Sequence, residues 1–174
     1  MDLIQKKICL LGDFAVGKTS LVRRYVEGSF GDKYLSTIGI KISRKLLTRG
    51  SRQLNLLIWD LAGGEEFSGH DKNYLRGASG ALLVCDLTRP ETFSILSKYA
   101  QQLTDISPQA VIVIAANKAD LIQDISSDMT ELEIICKEFN CQYLYTSAKT
   151  GDNVERLIDL LADKMIEEKT LDES

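Results

Sequence analysis

The stretch Ile8-Cys9-Leu10-Leu11-Gly12-Asp13-Phe14-Ala15-Val16-Gly17-Lys18-Thr19-Ser20-Leu21-Val22 decides the fold. Its apolar opening reads as a buried strand, and Thr19 to Val26 reads as a helix. Between them, residues 12–19 match G-x-x-x-x-G-K-[ST], a phosphate-binding loop in the strand–loop–helix setting that the pattern requires. Amide groups of such a loop turn inward around phosphate oxygens, and the helix N-terminus adds positive potential. Glycine serves where the backbone must take positive φ or leave room for an oxygen. In this reading Lys18 reaches the outer phosphates and Thr19 places its hydroxyl on Mg²⁺.

The chain has 174 residues, enough for one domain with a core that needs no staples, and we read residues 1–174 as that domain. Its net charge of −4 argues against general nucleic-acid binding and provides no polybasic membrane patch. No apolar stretch approaches the roughly 18 residues needed to span a bilayer. Residues 1–7 show no signal-peptide pattern. Cys9, Cys85, Cys136 and Cys141 contain no C-x-x-C pair, and the first two fall in buried strands, so they read as small hydrophobes. A cytoplasmic setting is expected.

Apolar runs at residues 6–11, 54–59, 80–86, 110–116 and 142–145 alternate with helix-like segments. Runs such as Ala110 to Ala116 are continuous, as in strands covered on both faces of a parallel sheet. Ile38 to Leu46 instead alternates apolar and polar, suggesting a half-exposed strand, with Arg49-Gly50-Ser51 as the hairpin turn into the next. Helices are cued by Pro90-Glu91-Thr92, by Ser127 to Glu131, and by a Gly151-to-Lys169 stretch. That last stretch places Val154, Leu157, Ile158, Leu160, Leu161 and Met165 on one face. The expectation is an α/β fold: a doubly wound, six-stranded, mostly parallel sheet with one antiparallel strand and about five helices. Ligands of such sheets bind at the carboxyl ends of the strands.

A phosphate loop does not by itself choose among kinases, ATPases and GTPases. Three further segments do, each after a predicted strand. Asp60-Leu61-Ala62-Gly63 fits D-x-x-G, in which Asp60 holds Mg²⁺ through water and the Gly63 amide reaches the γ-phosphate. Asn117-Lys118-Ala119-Asp120 fits N-K-x-D. The Asp120 carboxylate can accept from both N1–H and the 2-amino group of guanine, whereas adenine offers no such donors on that edge. Ser147-Ala148-Lys149 supplies a backbone N–H near the guanine O6.

Across about residues 5–168, leaving a short polar tail at 169–174, the chain resembles a small GTPase of the Ras superfamily. Ser36 to Gly39, Trp59-Asp60, Tyr74 to Ala78 and Asp86-Leu87-Thr88 through Phe93 are similar to segments of its Rab branch. The resemblance implies a P-loop NTPase G domain that binds GTP or GDP with Mg²⁺ and cleaves GTP. It implies nucleotide contacts along Asp13, Phe14, Ala15, Val16, Gly17, Lys18, Thr19 and Ser20, then at Phe30, Tyr34, Thr37 and Gly63. For the base it implies Asn117, Lys118, Asp120, Leu121, Ser147, Ala148 and Lys149. Phe30 resembles the aromatic that packs on guanine, and Tyr34 the switch I tyrosine that covers the phosphates. Thr37 resembles the switch I threonine that, with Thr19 and Asp60, holds the metal. Lys18, Thr37, Gly63 and Gly64 occupy the catalytic positions. Effectors and regulators would read residues about 32–45 and 59–76, and the chain would act as a monomer. Trp59 resembles a partner-facing interswitch tryptophan, or is a core aromatic of its strand.

The pattern also breaks. Gly64 stands where the family carries the glutamine that orients the attacking water, so unaided hydrolysis is expected to be slow. Phe14 stands where a glycine or serine is usual, close to the γ-phosphate, and its ring would crowd an arginine brought by a partner. Glu65 and Glu66 are poor substitutes beside phosphate charge, and His70 reads as a surface residue. The last cysteine is Cys141, so no C-a-a-X signal is present and no direct lipid anchor is expected; membrane association would come through partners. A second reading is a pseudo-GTPase that keeps nucleotide as a structural ligand and scaffolds partners. A third, an ATP-using kinase, is opposed by Asn117, Asp120 and Ser147.

Overall fold

The computed structural model describes residues 2–31, 39–63, 71–124 and 129–172. Six strands, β1 (Asp2–Gly12), β2 (Ile40–Arg49), β3 (Arg52–Leu61), β4 (Gly80–Asp86), β5 (Val111–Asn117) and β6 (Gln142–Tyr145), form one sheet. Its order is β2-β3-β1-β4-β5-β6, with β2 antiparallel to β3 and every other pairing parallel. Four α-helices, α1 (Lys18–Glu27), α2 (Glu91–Ile106), α3 (Thr130–Glu138) and α4 (Val154–Asp172), are present among the described residues. Short 3-10 turns over Asp71–Leu75 and Ala119–Leu121 accompany them. None of these helices is long and apolar enough to cross a membrane.

Two-residue alternation along the central strands splits the core into two layers. Cys9 and Leu11 of β1, Leu83 and Cys85 of β4, and Ile114 and Ala116 of β5 face α2 and α3, meeting Phe93, Leu96, Leu103, Leu132 and Ile135. Ile8 and Leu10, Leu82 and Val84, and Val113 and Ala115 face the other way, meeting Leu21 and Val22 of α1. Val154, Leu157, Ile158, Leu161 and Met165 of α4 complete that layer, with Leu160 half-buried at its margin. Both faces are covered, which is why these strands read as unbroken apolar runs. Burial pushes the thiols of Cys9 and Cys85 up to about 12, which leaves them inert.

β1 extends well beyond its predicted run of residues 6–11. β1 begins at Asp2 because main-chain pairing with β3 continues from Asp2↔Arg52 to Gln5↔Asn55 where side chains are largely exposed. Ladder bonds hold that extension, so apolar content did not reveal it. β2 is half-exposed as expected, but Ile42 and Leu46 lie on its open face, 50% and 55% exposed. The hairpin turns through Gly50 and Ser51, and Arg49 then ties it to α4 by ion pairs with Asp159 and Asp163.

Candidate functional site

A cleft of about 330 Å³ opens at the carboxyl ends of β1, β3, β5 and β6. After β1 come Phe14, Ala15, Gly17, Lys18, Thr19 and Ser20, and after β3 comes Gly63. Asn117 ends β5 and Lys118, Asp120 and Leu121 follow it, while Ala148 and Lys149 follow β6. Phe30, 36% exposed, closes another side.

At the loop end, Lys18 is 7% exposed and its ammonium donates to the carbonyls of Gly12 at 3.1 Å and Asp13 at 2.9 Å. Burial pulls this amine down to about 8 despite the attraction of Asp60 and Asp13, and an anion in the cleft would hold its proton more firmly. The Thr19 hydroxyl donates to the Asp60 carboxylate at 2.5 Å, and Asp60, ending β3, is 1% exposed. A hydroxyl and a carboxylate held side by side are hard oxygen donors that suit Mg²⁺. Gly63 approaches so closely that a Cβ there would sit 2.5 Å from the Gly12 oxygen and 2.6 Å from Lys18 Nζ.

Successive carbonyls of the loop are each held. Arg89 Nη2 donates to Phe14 at 2.5 Å, Lys118 Nζ to Ala15 at 3.0 Å and Asn117 Nδ2 to Val16 at 3.0 Å. In a trans peptide the next amide points the opposite way, so these bonds fix the directions of amides 15 to 17. Ala15 sits at φ 61°, a left-handed conformation unusual for a residue with a Cβ. Gly17, at φ 103°, has its Cβ position against Asn117 and no other residue fits there.

Behind the loop lies Asp86, 1% exposed at the end of β4. It accepts from the Thr88 hydroxyl at 2.6 Å and amide at 2.9 Å, and pairs with Lys118 at 2.7 Å and Arg89 at 3.1 Å. Burial pushes its carboxyl up, but Lys118, Thr88 and Arg89 outweigh burial and hold it below the usual range.

At the other end, the Ser147 hydroxyl donates to Asp120 at 2.7 Å, which orients that carboxylate at the cleft wall. Thr146 donates to Asn117 Oδ1 at 3.2 Å, so Asn117, itself in the cleft wall, bridges the two ends. Four expected contact residues stand off the wall. Val16 is buried in the core, Asp13 accepts from the Phe14 amide at 2.7 Å, Asp60 accepts from Thr19, and Ser147 donates to Asp120. Tyr34, Thr37 and Gly64, with Glu65, Glu66 and His70, lie outside the described residues.

Arg23 and Gly31 also line the cleft, and sequence reasoning did not assign them. Asp86 and Arg89 were missed as site residues too. Asp86 carried a usable signal, since it ends an apolar strand just as Asp60 does; the arginines carried none. Trp59 is half-buried, with the Lys7 ammonium 3.7 Å from its ring centroid and Tyr74 at 6.3 Å. Ile42 lies across the ladder from it.

The sequence matches the model of the Ras family over residues 7–167. The Ras-related protein Rab-21 of Homo sapiens is 35% identical over 168 residues, covering 96% of this chain and 75% of its own. Its Bos taurus counterpart has the same identity and covers 76% of its own length. The Ras-related protein Rab-4A of Rattus norvegicus is 35% identical over 161 residues, covering 92% of this chain and 74% of its own.

Proposed function

The chain belongs to the Ras family of small GTPases, on its Rab branch, and on that premise we propose a guanine-nucleotide switch whose GTP-loaded state is long-lived. The observation that carries this reading is one cleft with two chemistries. Lys18 and Gly63 meet the loop at one end, backed by the Thr19–Asp60 pair, and Asp120, oriented by Ser147, stands at the other. Polyphosphate oxygens suit the first end. The second suits a purine edge with two adjacent N–H donors, and a base lacking them would leave the carboxylate's remaining acceptor capacity unmet.

Mg²⁺ would be held by Thr19 directly, by Asp60 through water and by Thr37, and when bound it neutralises charge between the outer phosphates. Lys18 holds the same oxygens, and the Gly63 amide reports the γ-phosphate to the segment that follows. Water activation is where this chain is poor. Gly64 offers no side chain to hold the nucleophile, and Phe14, 44% exposed in the cleft wall, occupies space that an incoming arginine would need. Hydrolysis then waits for a partner that supplies its own catalytic group. Partners would read the nucleotide state at residues about 32–45 and 59–76. Support comes from the apolar patch there: Ile42 at 50% and Tyr74 at 38% exposure flank Trp59.

Identifying the nucleotide on freshly purified protein, and following its decay, tests the proposal. GTP that persists is the expected result. GDP alone, with single-turnover γ-phosphate release as fast as in a glutamine-bearing relative, would refute slow hydrolysis. The same two residues, Gly64 and Phe14, favour a second reading, a scaffold that never turns nucleotide over. Any GDP formed on long incubation with Mg²⁺ and GTP excludes it.

A further inference from the structure

Arg24 lies on α1 and is not part of the cleft wall, yet it reaches the turn that follows β6. Its Nε donates to the carbonyl of Ala148 at 2.8 Å, and Nη2 donates to the carbonyl of Lys149. Its Nη1 donates to Gly28 at 3.3 Å, two residues before Phe30. One guanidinium therefore joins the turn at 148–149 to the end of α1, from which the chain runs on to Phe30. Arginine is suited to this, because its planar fork offers several donors in fixed directions.

The amides of this turn can be accounted for one by one. Ser147 N–H donates to the Asp152 carbonyl at 3.1 Å and Gly151 N–H to the Ser147 carbonyl at 2.8 Å. Thr150 N–H donates to the Ser147 hydroxyl at 3.1 Å and Asp152 N–H to the Thr150 hydroxyl at 3.3 Å. Among the described residues, the amides of Ala148 and Lys149 have no such acceptor, and both residues line the cleft. Arg24 holds the Ala148 carbonyl without itself lining the cleft, and in a trans peptide the Lys149 amide points away from that carbonyl.

We propose that Arg24 is a positioning residue for base selectivity, aiming the Lys149 amide at the 6-oxo group of a bound guanine. The inference rests on the guanine reading above and adds to it the element that enforces that contact from behind. Arg24 touches no nucleotide atom. Its effect passes through one peptide plane, so it falls on recognition at position 6 of the purine and spares the phosphates.

Affinities for GDP and for 6-thioguanosine diphosphate, whose sulfur accepts hydrogen bonds poorly, test this in the full chain with Mg²⁺. Wild-type protein should prefer GDP. Arg24→Ala should lose about tenfold for GDP, the worth of one well-made hydrogen bond, and less than twofold for the thio analogue. The preference would then collapse towards one. Arg24→Lys, which can satisfy one carbonyl but not both, should fall between and serves alone if the alanine variant does not fold. Equal losses for both nucleotides, or no loss at all, would overturn the assignment of Arg24. Failure of wild-type protein to bind GDP would instead overturn the guanine reading itself.

Discussion

Thr19, in the first turn of α1, and Asp60, at the end of β3, meet through a 2.5 Å hydrogen bond that joins two separate strand exits. The pair brings together an anionic oxygen that is 1% exposed, that of Asp60, and a neutral one at the cleft wall, that of Thr19. A divalent cation held near this pair would offset a carboxylate that is otherwise costly to bury.

Chelating Mg²⁺ should therefore speed GDP release from the wild-type protein. Asp60→Asn should do the same without chelator, by about tenfold or more, the usual scale for groups that hold a metal through water. Adding chelator to the variant should change little. Release of a fluorescent GDP analogue reads both, and a variant that still responds fully to chelation would remove Asp60 from the metal site.

Gly63→Ala would place a Cβ 2.6 Å from Lys18 Nζ and 2.5 Å from the Gly12 oxygen. Backbone cannot yield that much cheaply, so the exit of β3 should back away from the loop. Affinity for GTP is expected to fall by about tenfold while GDP is nearly spared, because the Gly63 amide serves only the γ-phosphate. Competition titrations with the two nucleotides separate this from general loss of binding.

Gly64→Gln alone should restore little hydrolysis, since Phe14 still crowds the approach to the γ-phosphate. Combined with Phe14→Gly it should restore more, on the order of tenfold in single-turnover phosphate release. Additive small effects would mean that the ring and the missing glutamine are unrelated.

Asp86 gives the pH prediction. Its carboxyl is held below the unfolded value of 3.8, so its stabilisation is whole above that value and is lost as pH falls through the lower folded one. Asp86→Asn should cost about 2 kcal/mol near neutrality, because Lys118 and Arg89 lose a charged acceptor. The difference in urea midpoint between the two proteins should shrink below pH 3.8. A gap that stays constant through that range would show that charge is not what Asp86 contributes.

The layered sheet was readable because strands buried on both faces are apolar throughout, and because the loop after β1 is spelled in glycines and a lysine. The segments at the other end of the cleft were readable for a related reason: Asn117 ends a strand at its rim, and Asp120 and Ser147 come just after one. What escaped was support at a distance. Arg24 reaches a turn 124 residues along the chain, and Arg89 reaches Phe14 from the far side of the loop. Such bonds depend on where two elements come to rest, and no local spacing encodes them. β2 is half-exposed, as its alternation suggested, but the covered face could not be named in advance. Alternation identifies two faces of a strand but not which of them the rest of the molecule will cover.

Ile42 and Leu46 stand on a strand whose outer border carries no neighbour among the described residues. Such a border invites a second copy to zip alongside it, the route by which sheet proteins stick together. Lys41, Arg44 and Lys45 are threaded through the same few residues. Two molecules lining up there would press like charges together, which weighs against that pairing.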